Sequence, residues 1–212
     1  MIEIKDLEIE FNNELLIKYQ NFVFKDGLKY IILGSSGSGK STLLNLVSGI
    51  LTPTKGEIII NGDDITKLSQ HEKDIYRIKN IGYIYQDFKL IEEMTVKDNI
   101  DILRLEKIDT TNIDEYLNSV SILSKKNKKV KYLSGGEKQR VSIVRALIKN
   151  PKIILADEPT GNLNYSIGEK VIEELINVAK DNILICVTHD ERLVKYFDVV
   201  LRMEEISSSV VL

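Results

Sequence analysis

Through the first 33 residues, apolar and polar positions alternate with the two-residue period of strands. Leu7, Ile9 and Phe11 are separated by Glu8 and Glu10, the pattern of a half-buried strand. Asn12-Asn13 marks a turn, and Leu15, Ile17 and Tyr19 then resume the alternation. Phe22 and Phe24 lead to a second turn at Asp26-Gly27. Tyr30-Ile31-Ile32-Leu33 breaks the pattern: an all-apolar run ended by glycine predicts a strand buried on both faces of a parallel sheet. A helix over about 40–48, stopped by Gly49, and strands over 56–60 and 81–85 follow.

From about residue 87 the spacing turns helical. Val96, Ile100 and Leu103 share one helix face, and Ile113, Leu117 and Val120 another. After Pro151 the strand runs return, with Ile153 to Ala156 before Asp157 and Ile183 to Val187 before Thr188-His189. An amphipathic helix over 167–180 lies between them. Strand–helix alternation on this scale implies an α/β core with ligands at the C-terminal ends of its strands. The expected organisation is one domain over 1–212: a core of 1–86 and 150–212 that includes an antiparallel β part, and a helical insertion of 87–149.

Composition narrows the function. The chain has 212 residues, long enough for a core that needs no disulfide or metal staple. Its 29 basic and 32 acidic residues argue against a nucleic-acid partner. Cys186 is the single cysteine, which excludes an internal disulfide and a cysteine-rich zinc site, and its apolar strand marks it as a core residue. The opening MIEIKDLEIE lacks the basic and then apolar order of a secretory signal. No apolar run approaches the ~20 residues that span a bilayer. The expectation is an intracellular chain whose membrane role, if it has one, comes through a partner. His71 and the five lysines between Lys125 and Lys131 are expected to be solvated.

Gly34-Ser35-Ser36-Gly37-Ser38-Gly39-Lys40-Ser41 fits the phosphate-loop pattern without a gap, between a buried strand and a helix. Glycines let main-chain amides wrap phosphate oxygens, and the helix N-terminus adds partial positive charge. In this pattern Lys40 reaches the β- and γ-phosphates and Ser41 ligates Mg2+. Asp157 ends a strand where it could hold Mg2+, and Glu158 follows where it could polarise an attacking water. A metal, a lysine and one carboxylate suffice for phosphoryl transfer. Ser134 and Glu137 have the spacing of a helix capping box. Gly135 and Gly136 lie in that helix's first turn, where glycine lowers stability, so close phosphate approach is the expected reason for them.

At this point the chain resembles the ATP-binding subunit of an ABC transporter, an α/β P-loop NTPase with an antiparallel β subdomain and a helical subdomain. LSGGEKQR resembles the signature motif, GSSGSGKST the Walker A and IILADE the Walker B. Gln86 in YIYQDF resembles the Q-loop glutamine and His189 in VTHD the switch histidine. Phe11 stands where the family places an aromatic that stacks on adenine. The motifs occur in the family's order over nearly the whole chain.

The resemblance implies ATP and Mg2+ as ligands and a head-to-tail homodimer around two ATP molecules. The Walker A segment from Gly34 through Thr42 would bind nucleotide. Ser134, Gly135, Gly136 and Glu137 would face the γ-phosphate of the opposite site. Glu158 would position or deprotonate water, His189 would contact the γ-phosphate, and Gln86 would link the metal and water site to the helical insertion. That insertion would dock on a separate membrane-spanning permease, which places the chain at the inner face of the cell membrane. QDFKLIEEMTVKDNI and DEPTGNLN most resemble the branch of macrolide-export, lipoprotein-release, bacteriocin-export and cell-division subunits. Export or membrane extraction of a peptide, lipid-linked or hydrophobic molecule is therefore the leading expectation. A cell-division or envelope-signalling complex without cargo is the alternative. A soluble relative acting on DNA or ribosomes fits less well, since the chain has neither a long coiled-coil insertion nor a second cassette. The chain departs from its relatives at Asn164, usually Asp, in a short insertion between Gln86 and Leu133, and in the missing Asp-Gly turn near its C-terminus.

Overall fold

The computed structural model describes residues 1–12 and 14–211. Eleven strands and seven helices run through them. The strands are β1 (Ile2–Phe11), β2 (Leu15–Tyr19), β3 (Phe22–Phe24), β4 (Lys29–Leu33), β5 (Lys55–Ile60), β6 (Asp63–Asp64), β7 (Ile81–Ile84), β8 (Ile153–Asp157), β9 (Ile183–Thr188), β10 (Val199–Arg202) and β11 (Ser207–Val211). The helices are α1 (Lys40–Val47), α2 (Gln70–Asn80), α3 (Val96–Asp101), α4 (Ile113–Ser119), α5 (Gly135–Leu147), α6 (Tyr165–Val178) and α7 (Met203–Ile206).

Two sheets divide the strands. One is antiparallel, in the order β11-β2-β1-β5-β6, with β3 also paired to β1. The other is parallel, in the order β10-β4-β9-β8-β7. The apolar runs serve both faces of the parallel sheet. Ile31, Leu33, Ile154, Ala156, Leu184 and Cys186 join a core with α3 to α6. Tyr30, Ile32, Ile153, Leu155, Ile183 and Ile185 join a second core with α1 and the antiparallel sheet. This is why these strands carry no alternation.

The turn expected at Asn12-Asn13 has Asn12 at φ 50°, a left-handed position that asparagine tolerates; Asn13 lies outside the described residues. Helix α2 has no counterpart in the sequence expectations. Its sequence is mostly polar, and it is started by a capping box between Ser69 and Glu72. Lys73 on α2 is buried and donates to Thr52 at 2.8 Å. The lysines of 125–131 are not simply solvated: Lys125 meets Glu137, Lys126 meets Asp114, and Lys129 and Lys131 meet Glu93. His71 is exposed, as expected.

Candidate nucleotide site

The phosphate loop joins the end of β4 to α1. Gly37 and Gly39 have φ 79° and 96°, where a side chain is strained. Tyr19 ties the antiparallel sheet to this loop by donating to the Gly39 carbonyl at 3.1 Å. Lys40 is 6% exposed and folds back, donating to the carbonyls of Gly34 at 2.8 Å and Ser35 at 2.9 Å.

Across the parallel sheet, β8 ends in Asp157. Ser41 Oγ donates to Asp157 Oδ1 at 2.9 Å. Burial pushes the Asp157 carboxyl up, the Ser41 hydrogen bond opposes this, and neighbouring Glu158 adds to the rise. Glu158 takes a left-handed turn at φ 44° while its amide still bonds Val187 of β9. Its two oxygens then have different neighbours. Oε2 accepts from Thr188 Oγ1 at 2.9 Å. Oε1 lies 3.1 Å from His189 Nδ1 and 3.6 Å from Lys40 Nζ.

Phe11, Leu15 and Ile17 form the apolar wall of a cavity of about 370 Å3, whose other side carries Ser36, Gly37, Gly39, Lys40, Ser41, Thr42, Gln86, Glu158 and His189. Phe11 reaches it because β1 and β2 pair Phe11 with Leu15 at the hairpin end. An apolar wall facing amides, a lysine and a carboxylate suits a base at one end and phosphates at the other.

Ser134, Gly135, Gly136 and Glu137 do not line this cavity. They form the first turn of α5, capped as the spacing predicts: Glu137 N donates to Ser134 Oγ at 3.3 Å and Ser134 N to Glu137 Oε2 at 2.8 Å. Burial raises the Glu137 carboxyl, but the Ser134 amide and Lys125 together bring it below the usual range. The paired glycines have a cause inside the chain. A Cβ on Gly136 would lie 2.5 Å from Ile167 Cγ2, and one on Gly135 3.0 Å from Leu163 Cδ2. Contact with α6 and the loop before it thus requires small residues here, whatever else the turn binds.

Sequence reasoning gave no role to Thr188. It is 1% exposed, holds Glu158, and accepts the Asp190 amide at 3.1 Å. A buried hydroxyl beside the strand-end histidine was the available signal. Asn164, the departure from the resemblance, caps α6 by accepting the Ile167 amide at 3.0 Å, a task in which asparagine equals aspartate.

A phosphate loop on a parallel sheet, with a serine–aspartate pair and a glutamate at the adjoining strand end, defines a P-loop nucleoside triphosphatase. Comparison with known proteins specifies it. Residues 17–161 match the family model described as ABC transporter. An uncharacterized ABC transporter ATP-binding protein of Methanocaldococcus jannaschii is 38% identical over 90% of this chain and 88% of its own length. The ABC transporter ATP-binding protein YtrE of Bacillus subtilis is 42% identical over 76% of this chain and 73% of its own. Among solved structures, the dimeric bacterial ABC transporter cassette MJ0796 superposes with a TM-score of 0.83 at 32% identity, covering 100% of this chain and 99% of that one. A second structure of MJ0796, a dimeric post-hydrolysis state bound to ADP and Pi, also has a TM-score of 0.83, at 31% identity. The chain belongs to the ABC transporter family, as an ATP-binding and ATP-hydrolysing cassette.

Proposed function

We propose that this cassette powers export or membrane extraction of a peptide, lipid-linked or hydrophobic molecule through a separate permease, working as an ATP-dependent head-to-tail homodimer. The observation that carries the dimer is the incomplete cavity. Walker A, Gln86, Glu158 and His189 share one wall system, while Ser134 to Glu137 lie elsewhere. A second copy, reversed, would supply that capped helix start to the γ-phosphate. The dimeric cassettes among its structural relatives support this arrangement.

Within each site, Phe11 stacks on the adenine and the amides of Gly34 to Thr42 hold the phosphates. Lys40 leaves its two carbonyls for the β- and γ-phosphates. Ser41, Asp157 and the Gln86 amide are hard oxygen donors suited to Mg2+, and the first two already meet at 2.9 Å. That ion, when bound, offsets phosphate charge. Thr188 holds Glu158 Oε2, and Oε1, beside Lys40 and His189 of the nucleotide cavity, receives the attacking water's proton. His189 contacts the γ-phosphate from beside it.

The permease fits a groove of about 570 Å3 between α2 and the helical insertion, lined by Ile50, Tyr85, Ile102, Leu103, Arg145 and Lys149. Leu105, in the same segment as Leu103, is 84% exposed, an apolar residue suited to a partner surface. No helix among the described residues is long and apolar enough to cross a membrane; in this reading the permease supplies the membrane path.

The test is Glu158→Gln with ATP. The variant is expected to bind ATP with little hydrolysis and to run at twice the monomer mass in light scattering. Wild-type hydrolysis would remove Glu158 from its role. Tagged Glu158→Gln should also retain a permease from native membranes. Partners limited to cell-wall enzymes would favour the cargo-free envelope reading instead.

A further inference from the structure

The turn after Gln86 is held in an unusual way. Phe88 and Lys89 are consecutive non-glycine residues with φ 60° and 49°. L-residues populate this region sparsely, and such turns persist only where surrounding contacts fix them. The fixing contact comes from Arg145, on the last turns of α5. Its Nη2 donates to the Phe88 carbonyl at 2.8 Å and its Nη1 to the Lys89 carbonyl at 2.5 Å. The planar fork of a guanidinium holds two adjacent carbonyls with two separate N–H groups in a fixed geometry, where a lysine offers one nitrogen on a flexible stem. Burial lowers the Arg145 pKa, so its placement works against its own hydration.

The helix that carries Arg145 begins with the signature residues. Arg145 lies eleven positions after Ser134, about 16 Å along one helix. The same helix is therefore attached at its start to the turn meant for the opposite nucleotide, and near its end to the loop of Gln86. Gln86 is also fixed from the other side. Asn162 Nδ2 donates to its carbonyl at 2.7 Å, and a Cβ on Gly161 would come within 2.9 Å of its amide nitrogen. Tyr85, the residue before it, stacks on Tyr83 with ring centroids 4.2 Å apart.

We propose that Arg145 is a positioning residue for ATP hydrolysis: it clamps the Phe88-Lys89 turn so that Gln86 is held in register with the signature end of α5. The proposal rests on the reading of Gln86 and Ser134 given above. Arg145 is not among the residues lining the nucleotide cavity, and in hydrolysis it acts through Gln86. It therefore governs the chemical step and leaves ATP affinity to the phosphate loop.

The test uses the full chain and a double-mutant cycle. Arg145→Met should lower kcat about 10- to 100-fold, the range of a small misplacement, with KM for ATP within about twofold. Arg145→Lys should recover only part of that loss, because it keeps the charge without the fork. In a Gln86→Ala background, Arg145→Met should have almost no further effect. Hydrogen exchange should speed up at the amides of residues 88–90 and stay unchanged in α1. Wild-type kcat in Arg145→Met, unchanged exchange at 88–90, or losses that multiply in the double variant would each overturn the proposal. Wild-type turnover in Gln86→Ala alone would instead overturn the role given to Gln86, and exchange would then report separately on whether Arg145 holds the turn.

Discussion

Thr188→Val removes one hydroxyl and keeps the side-chain shape. In the native site that hydroxyl donates to Glu158 Oε2 at 2.9 Å and accepts the Asp190 amide at 3.1 Å, in a residue 1% exposed. A hydrogen bond to a charged group contributes about 1.5–3 kcal/mol, and the buried setting leaves no water to replace it. If that energy serves to aim Glu158, its loss lowers kcat by about 10- to 100-fold, at ~1.4 kcal/mol per factor of ten. Stability should fall by about 1 kcal/mol, because the Asp190 amide also loses its acceptor. KM for ATP should hold within about twofold, since Thr188 is not among the residues lining the nucleotide cavity. The assay is steady-state phosphate release, with Thr188→Ser as the control that keeps the hydroxyl. Wild-type kcat in Thr188→Val, or an equal loss in Thr188→Ser, would refute the reasoning.

Other outcomes follow from single contacts. Gly136→Ala places a Cβ against Ile167 Cγ2 and should destabilise the fold by about 1 kcal/mol; adding Ile167→Ala should relieve most of it in a denaturation cycle. Burial raises the Asp157 carboxyl, so its stabilising protonated form is complete below the unfolded value and is lost as pH rises through the folded one. Nucleotide-free Asp157→Asn should therefore melt above wild type at neutral pH, with the gap closing toward pH 4; a gap that widens on acidification would reverse the sign.

The phosphate loop was legible because its pattern is local: of the nine consecutive residues from Gly34 to Thr42, six line the nucleotide cavity. Cys186 and its neighbours were legible for a similar reason, since a run with no polar position can only be buried on both sides. Helix α2 was not, because its burial depends on Lys73, whose ammonium finds Thr52 through the fold rather than through periodicity. The lysines of 125–131 read as solvated because Asp114 and Glu93, which meet several of them, lie many residues away. The glycine pair at 135–136 was assigned to phosphate approach because Ile167 and Leu163 are invisible as neighbours until α5 and α6 are packed.

In the proposed dimer, one chain's Walker A works with another chain's signature turn. Lys40→Ala disables the first and Ser134→Arg the second, and each purified alone should release little phosphate. Mixed, the two variants form a heterodimer with one intact site, made of the Ser134→Arg chain's phosphate loop and the Lys40→Ala chain's capped turn. If two chains share each site, mixing restores a substantial share of wild-type ATP hydrolysis. A mixture no more active than its separate components would contradict it.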